Sequence, residues 1–169
     1  RVASPLRPLS PMTFPRPPVD PSQRRIVLVV PPVTAEDRYG PMASAGNSLP
    51  PHAFLYLGAV VREMGWEPII VDGPALGLGL EGTAQAILEA DPSVVGYTTT
   101  TMSVAKAATV AERIRAARPD VVQMVGGPHV TALPEETLRR IPHFDLACAG
   151  EGEDMLRATL AHLQAGEDP

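Results

Sequence analysis

Apolar residues in this chain fall into two kinds of stretch, and the two kinds alternate. Short apolar runs read as strands, the first of them β-branched and buried on both faces. They are residues 24–30 (RRIVLVV), 68–71 (PIIV), 94–97 (VVGY), 121–125 (VVQMV) and 146–149 (LACA). Between them lie longer stretches with helical signals. Residues 52–64 predict a helix that is mostly apolar and so mostly buried. Residues 83–90 predict a second, with Thr83 at its N-cap. Ser103 caps a third that runs to Ala117, with Val104, Ala108, Ala111 and Ile114 on one apolar face and Lys106, Glu112, Arg113 and Arg115 mostly opposite. Residues 134–141 carry Glu135 and Glu136 in the first turn and Arg139 and Arg140 in the last, which complements the helix dipole. A final helix, 154–164, turns Met155, Leu156, Thr159, Leu160 and Leu163 inward and stops at Gly166.

The order is β-α five times over. Strands separated by helices need crossovers, so the sheet is expected to be parallel with helices on both faces. The fold class expected is a three-layer α/β/α domain with a five-stranded parallel sheet, Rossmann-like or flavodoxin-like, in strand order 2-1-3-4-5. Residues 1–23 stand apart. They have no periodicity and are dense in proline, and they read either as an extended arm on the domain surface or as a disordered leader. The folded domain is expected over 24–169.

Composition narrows the partners. The net charge of −5 comes with no basic block, which argues against nucleic acid or an anionic membrane surface as a partner. No apolar run approaches the ~20 residues of a bilayer span. The lone cysteine, Cys148, permits no intrachain disulfide, suits a cytosolic setting, and cannot hold an iron–sulfur cluster within this chain.

Ligands of open parallel sheets bind beyond the carboxyl ends of the strands, where the strand order reverses. Four strand ends carry unusual loops: 31–51, 98–103, 126–129 and 150–153. The first two flank the expected switch point. Their hydroxyls, glycines and backbone amides suit a large, neutral to anionic ligand with a phosphate or amide rim. Each also has a plainer reading. The run Thr98, Thr99, Thr100, Thr101 before Ser103 fits β-formers plus a cap. Gly126, Gly127 and Pro128 fit a tight turn, and Glu151 and Glu153 fit a helix N-terminus. Cys148 reads as strand packing. The four histidines show no paired metal-ligand spacing, and of them His129, beside the glycines, is the one taken as a site candidate. Gly77–Gly82 matches G-x-G-x-x-G, but it follows the second strand at a distance and reads as a flexible loop. No G-x-S-x-G or Walker A pattern occurs.

Taken in order, these pieces resemble the B12-binding domain of cobalamin-dependent radical SAM enzymes. The resemblance covers roughly residues 24–165. It rests on Val29-Val30-Pro31-Pro32 with its long loop, residues 50–65 (PPHAFLYLGAVVREMG), Val71-Asp72, residues 95–101 (VGYTTTT), residues 125–131 (VGGPHVT) before Pro134-Glu135-Glu136, and Gly150-Glu151-Gly152-Glu153. It implies a cobalamin at the carboxyl ends of the strands, its nucleotide tail inserted beside the third and fourth. Thr98, Thr99, Thr100, Thr101 and Ser103 would contact the tail, and Gly126 and Gly127 would leave room for the benzimidazole, with Pro128, His129, Gly150 and Glu151 nearby. The 32–51 loop, including Tyr39, Gly40 and Pro51, and the helix starting at His52 would lie beside the corrin. D-x-H-x-x-G is absent after the first strand, so cobalt is expected to carry no protein histidine, with His52 the one alternative ligand.

The C-x-x-x-C-x-x-C motif of a radical SAM domain is also absent. The [4Fe–4S] cluster and S-adenosylmethionine are therefore expected on a radical SAM domain or subunit outside this chain, in a methyltransferase or cyclase. The chain alone would bind cobalamin without radical chemistry. The competing readings are an NAD- or FAD-binding domain using Gly77–Gly82, and a flavodoxin-like interaction module. A receiver domain would need an acidic cluster with a phosphorylatable Asp after the third strand, where Tyr97-Thr98 stands.

Overall fold

The computed structural model describes residues 18–45 and 51–167. The expectation for residues 1–17 lies outside that range. Five parallel strands form one sheet in the order β2-β1-β3-β4-β5: β1 Arg25–Val30, β2 Glu67–Asp72, β3 Val94–Thr98, β4 Val122–Gly126 and β5 Leu146–Ala147. The expected topology is therefore the observed one, and the switch point lies between β1 and β3, which pair Ile26 with Val94 through Val29 with Tyr97.

Alternation along the strands divides the core in two. Val27, Val29, Val95, Tyr97 and Val125 face helices α3 (Leu80–Glu89) and α4 (Val104–Ala117). Ile26, Leu28, Val94, Val122 and Met124 face α2 (His52–Glu63) and α7 (Gly152–Ala165). Each such fully buried aliphatic side chain contributes roughly 1.5–3 kcal/mol, and both faces need cover, which explains why the runs are continuous rather than alternating. Val19 packs at the margin of the α2/α7 core, its amide donating to the Leu163 carbonyl at 3.1 Å.

A buried polar network braces the α3/α4 side. The Gln123 amide reaches the Ala111 carbonyl at 2.9 Å and accepts the Tyr97 hydroxyl at 2.7 Å. The Asp145 carboxylate accepts from the Gln123 backbone at 2.7 Å and from Arg115 at 2.6 Å. It ties α4, β3, β4 and the approach to β5 together. Burial holds the Tyr97 phenol far above its ordinary range, so it stays a hydrogen-bond donor.

Several local expectations are corrected. Arg115 points inward to Asp145 rather than to solvent. The buried stripe of α4 is Ala107, Val110, Ala111 and Ile114, with Val104 and Ala108 only half-buried. Thr83 sits inside α3, not at its cap, and its hydroxyl donates to the Gly79 carbonyl at 2.8 Å. Met155 is exposed on α7. The α2 helix is less buried than its composition suggests, with Leu55 55% and Tyr56 70% exposed. The 31–51 loop contains a helix, α1 (Ala35–Tyr39), followed by a 3-10 turn, Gly40–Ala45. Two short helices follow β4: α5 (Pro128–Ala132) and α6 (Pro134–Arg140).

Candidate functional site

Two adjoining clefts open at the carboxyl edge, at the switch point. The larger, about 650 Å³, lies between α1, the first turn of α2 and the β2–α3 turn. The smaller, about 220 Å³, is a slot between the α2/α7 face of the sheet and the first turns of those two helices. Ala53, Phe54 and Thr98 belong to both, so the clefts meet beside the end of β3.

The slot exists because side chains are missing. Gly96 pairs with Leu28 on one side and Met124 on the other, and Gly126 pairs with Thr98. Both glycines line the slot, and neither contributes a side chain to fill it. Leu28, Phe54, Leu57, Met124 and Leu156 make its walls apolar. Gly150, Glu151 and Glu153 stand at its other end, where α7 begins. A Cβ on Gly126 would lie 3.5 Å from the Cys148 Cβ, ordinary contact, so the protein itself would tolerate a small side chain there. The slot, about 220 Å³, is walled mostly by apolar side chains.

Gly127 is glycine for another reason. Its φ of +98° lies in the left-handed region, and a Cβ would come within 2.6 Å of the Thr99 carbonyl oxygen. The tight crossing of β4's exit over the β3 turn therefore requires it, whatever is bound.

The threonine run divides in the same way. Thr99 is buried, and its hydroxyl and amide both donate to the Gly126 carbonyl, at 2.9 and 2.8 Å. Ser103 does not cap α4 through its side chain. Its Oγ accepts the Thr100 amide at 2.8 Å and closes the turn. Thr101 meets His129 Nδ1 at 3.2 Å, and the His129 amide donates to the Thr99 carbonyl at 3.1 Å. Thr98 is the exception. Its side chain makes no hydrogen bond among the described residues, and it lines both clefts.

Of the residues singled out in the sequence, the structure brings Tyr39, Pro51 and Thr98 to the larger cleft. It brings Thr98, Gly126, Gly127, Gly150 and Glu151 to the slot. Gly40, Thr99, Thr100, Thr101, Ser103, Pro128 and His129 line neither. Sequence reasoning missed Gly96, Phe54, Leu57 and Arg38. Gly96 carried a usable signal, since glycine inside a strand marks a close approach or a missing side chain. Gly77 and Gly79 do line the larger cleft, but in a turn leaving the edge strand β2 rather than the first strand. His52, exposed at the start of α2, lines the larger cleft as well. No cluster of three or more His, Cys, Asp or Glu that could hold a metal occurs among the described residues, and no helix among them is long and apolar enough to cross a membrane.

Cys148 lines the slot, and burial pushes its thiol up to about 11. A protonated, half-buried thiol packs; it does not attack.

Residues 40–160 match the protein-family model of the B12 binding domain. An uncharacterized methyltransferase of Pyrococcus horikoshii is 35% identical over 144 residues, which are 85% of this chain and 30% of the relative. The anaerobic magnesium-protoporphyrin IX monomethyl ester cyclase of Rubrivivax gelatinosus is 30% identical over 123 residues, 72% of this chain and 22% of the cyclase. The enzyme of the same name from Cereibacter sphaeroides is 26% identical over 115 residues, 68% of this chain and 19% of that enzyme. This chain thus spans less than a third of the length of each of these relatives. Among solved structures, the receiver domain of NtrC4 from Aquifex aeolicus aligns over 84% of this chain and 98% of its own at 18% identity and a TM-score of 0.46. The family model spans most of the chain, from the 3-10 turn at Gly40 to Leu160 in α7, and on that match the chain belongs to the B12-binding domain family.

Proposed function

We propose that this chain holds cobalamin for a larger, cytosolic B12-dependent radical SAM enzyme, most simply a methyltransferase. Family membership supports cobalamin binding itself. The observation that carries the finer reading is the glycine-floored slot opening past Thr98 into the larger cleft. One ligand with a flat apolar ring on a polar tether, joined to a larger amide-rimmed body, would fill both.

On this reading the benzimidazole of the nucleotide tail enters between Gly96, Gly126 and Leu156. Thr98 donates or accepts at the junction, and the corrin rests against α1 and the start of α2. A tail placed there cannot also ligate cobalt, so the cofactor is held base-off. His52 is the one histidine lining the larger cleft among the described residues, and the proposal leaves cobalt without it. Bound there, cobalamin would supply a cobalt-carried methyl group; the chain's own part is to bind, orient and shield. The [4Fe–4S] cluster and S-adenosylmethionine belong to a radical SAM domain or subunit beyond these residues. A methyltransferase and cyclases stand among the relatives, so either reaction suits the parent enzyme.

The test is retention of hydroxocobalamin by the purified chain after gel filtration, followed by reduction and electron paramagnetic resonance. The expected spectrum has no nitrogen splitting from an axial base and is unchanged in His52→Ala. Nitrogen splitting that disappears in His52→Ala would replace the base-off, histidine-free reading with a histidine-ligated one. Binding of NAD or FAD in place of the corrin would favour a nucleotide site at Gly77 and Gly79.

A further inference from the structure

The larger cleft owes its outer wall to a helix that little holds in place. None of the five residues of α1 is buried, so no sequestered apolar side chain fixes it to the sheet. A helix of that length does not persist alone in water. Its start is closed locally by a capping box, in which Thr34 and Asp37 exchange hydrogen bonds of 3.1 and 2.8 Å. Val33, just before it, is buried.

Among the described residues, the side-chain bond that reaches α1 from another element is made by Lys106, in the first turn of α4. Its ammonium donates to the Asp37 carboxylate and, at 3.2 Å, to the Pro32 carbonyl. One side chain thus grips the exit of β1 and the middle of α1 together. Lys106, ahead of the bonds from Thr34, holds the Asp37 carboxyl down at about 2. Lys106 itself lines neither cleft. What α1 presents to the larger cleft is Ala35, Arg38 and Tyr39. Arg38 has no ion-pair partner among the described residues, which leaves a cation for an anionic or amide-rimmed ligand.

We propose that Lys106 is a positioning residue of the cofactor site: its two bonds set α1 as the outer wall of the larger cleft, so cobalamin capture depends on a side chain that does not touch the cofactor. The inference rests on the cobalamin reading above. An ion pair this exposed adds little to global stability. Opening of α1 alone is a far smaller free-energy step than unfolding, and there the same pair is decisive. Apparent affinity falls with the fraction of chains in the competent state. If α1 stays docked in about one chain in ten, binding weakens about tenfold.

The experiment titrates hydroxocobalamin into the full chain and its Lys106→Met, Lys106→Arg, Asp37→Asn and Lys106→Met/Asp37→Asn variants, with amide hydrogen exchange followed over residues 34–40. Lys106→Met is expected to bind about tenfold more weakly, to exchange faster over 34–40, and to keep its melting temperature. Lys106→Arg recovers most of the affinity. The double variant loses less than the sum of the two single variants, because the two residues share one contact. Wild-type affinity and exchange in Lys106→Met would overturn the proposal, as would a loss that comes with faster exchange across the whole sheet. Should Lys106→Met fail to fold, Asp37→Asn carries the same test from the other side. If the wild-type chain retains no cobalamin, the cofactor reading fails, while the exchange comparison still decides whether Lys106 docks α1.

Discussion

The β3–α4 turn and the β1–α2 connection stand side by side at the carboxyl edge, and their polar groups have opposite fates. The turn is rich in hydroxyls, yet nearly all of them are satisfied by the turn itself or by the exit of β4 beside it. Thr99 bonds the Gly126 carbonyl, Ser103 bonds Thr100, and Thr101 bonds His129. The β1–α2 connection has fewer such groups and buries no residue of its helix, but it turns Arg38 and Tyr39 into the larger cleft. A binding surface is marked by polar groups still available after folding, and a count of polar groups does not reveal that. Thr98, where the two regions meet, is the one threonine of the four left available to a ligand.

The largest effect expected on the turn side is from Gly127→Ala. Its positive φ and the Thr99 backbone 2.6 Å from the added Cβ predict a loss of ~3 kcal/mol in urea unfolding. A loss below ~0.5 kcal/mol would mean that the crossing relaxes, and that Gly127 is free to serve the ligand instead.

The slot side is probed by Cys148. With its thiol raised from 9.0 to about 11 by burial, the thiolate fraction at pH 8 is lower by about 100-fold than in the unfolded chain. Iodoacetamide should therefore modify the folded chain about 100-fold more slowly at pH 8, with the rate climbing as pH approaches 11. Bound cobalamin should slow it further. Equal rates in folded and unfolded chains would show that the slot is open to solvent.

The smallest effect separates two neighbouring threonines. Thr99→Val leaves the Gly126 carbonyl short of a buried donor and should cost about 1–2 kcal/mol, with cobalamin affinity unchanged for the folded fraction. Thr98→Val should leave stability within about 0.5 kcal/mol and weaken cobalamin binding several-fold. The reverse pattern would erase the distinction between the satisfied turn and the available junction.

The centre of the sheet was legible because β1, β3 and β4 are buried on both faces, and double burial writes a continuous apolar run that needs no partner to be recognised. The parallel arrangement followed from crossovers, and the order 2-1-3-4-5 from the flavodoxin-like class. Three features escaped for physical reasons. The α1 helix buries nothing, so it leaves no apolar period to detect. Arg115 reads as solvent-facing until Asp145, thirty positions on, arrives beside it to pay the desolvation. Leu55 and Tyr56 are apolar yet exposed, which composition alone cannot tell. At the site, Gly96 was missed, and Gly126 and Gly127 were found but with one merged reason. Gly126 serves space and Gly127 serves backbone, and only the Thr99 contact separates them.

The glycine-floored slot is the proposed seat of the cofactor's tail. The most direct measurement is equilibrium binding of hydroxocobalamin to the wild-type chain and to Gly126→Leu, with urea unfolding of both. The wild type is expected to retain the corrin. Gly126→Leu should lose at least about tenfold in affinity, roughly 1.4 kcal/mol, with a smaller change in folding stability, because its Cβ meets Cys148 only at ordinary contact distance. Corrin absorbance that does not stay with the wild-type chain, or that stays equally with Gly126→Leu, would contradict the account.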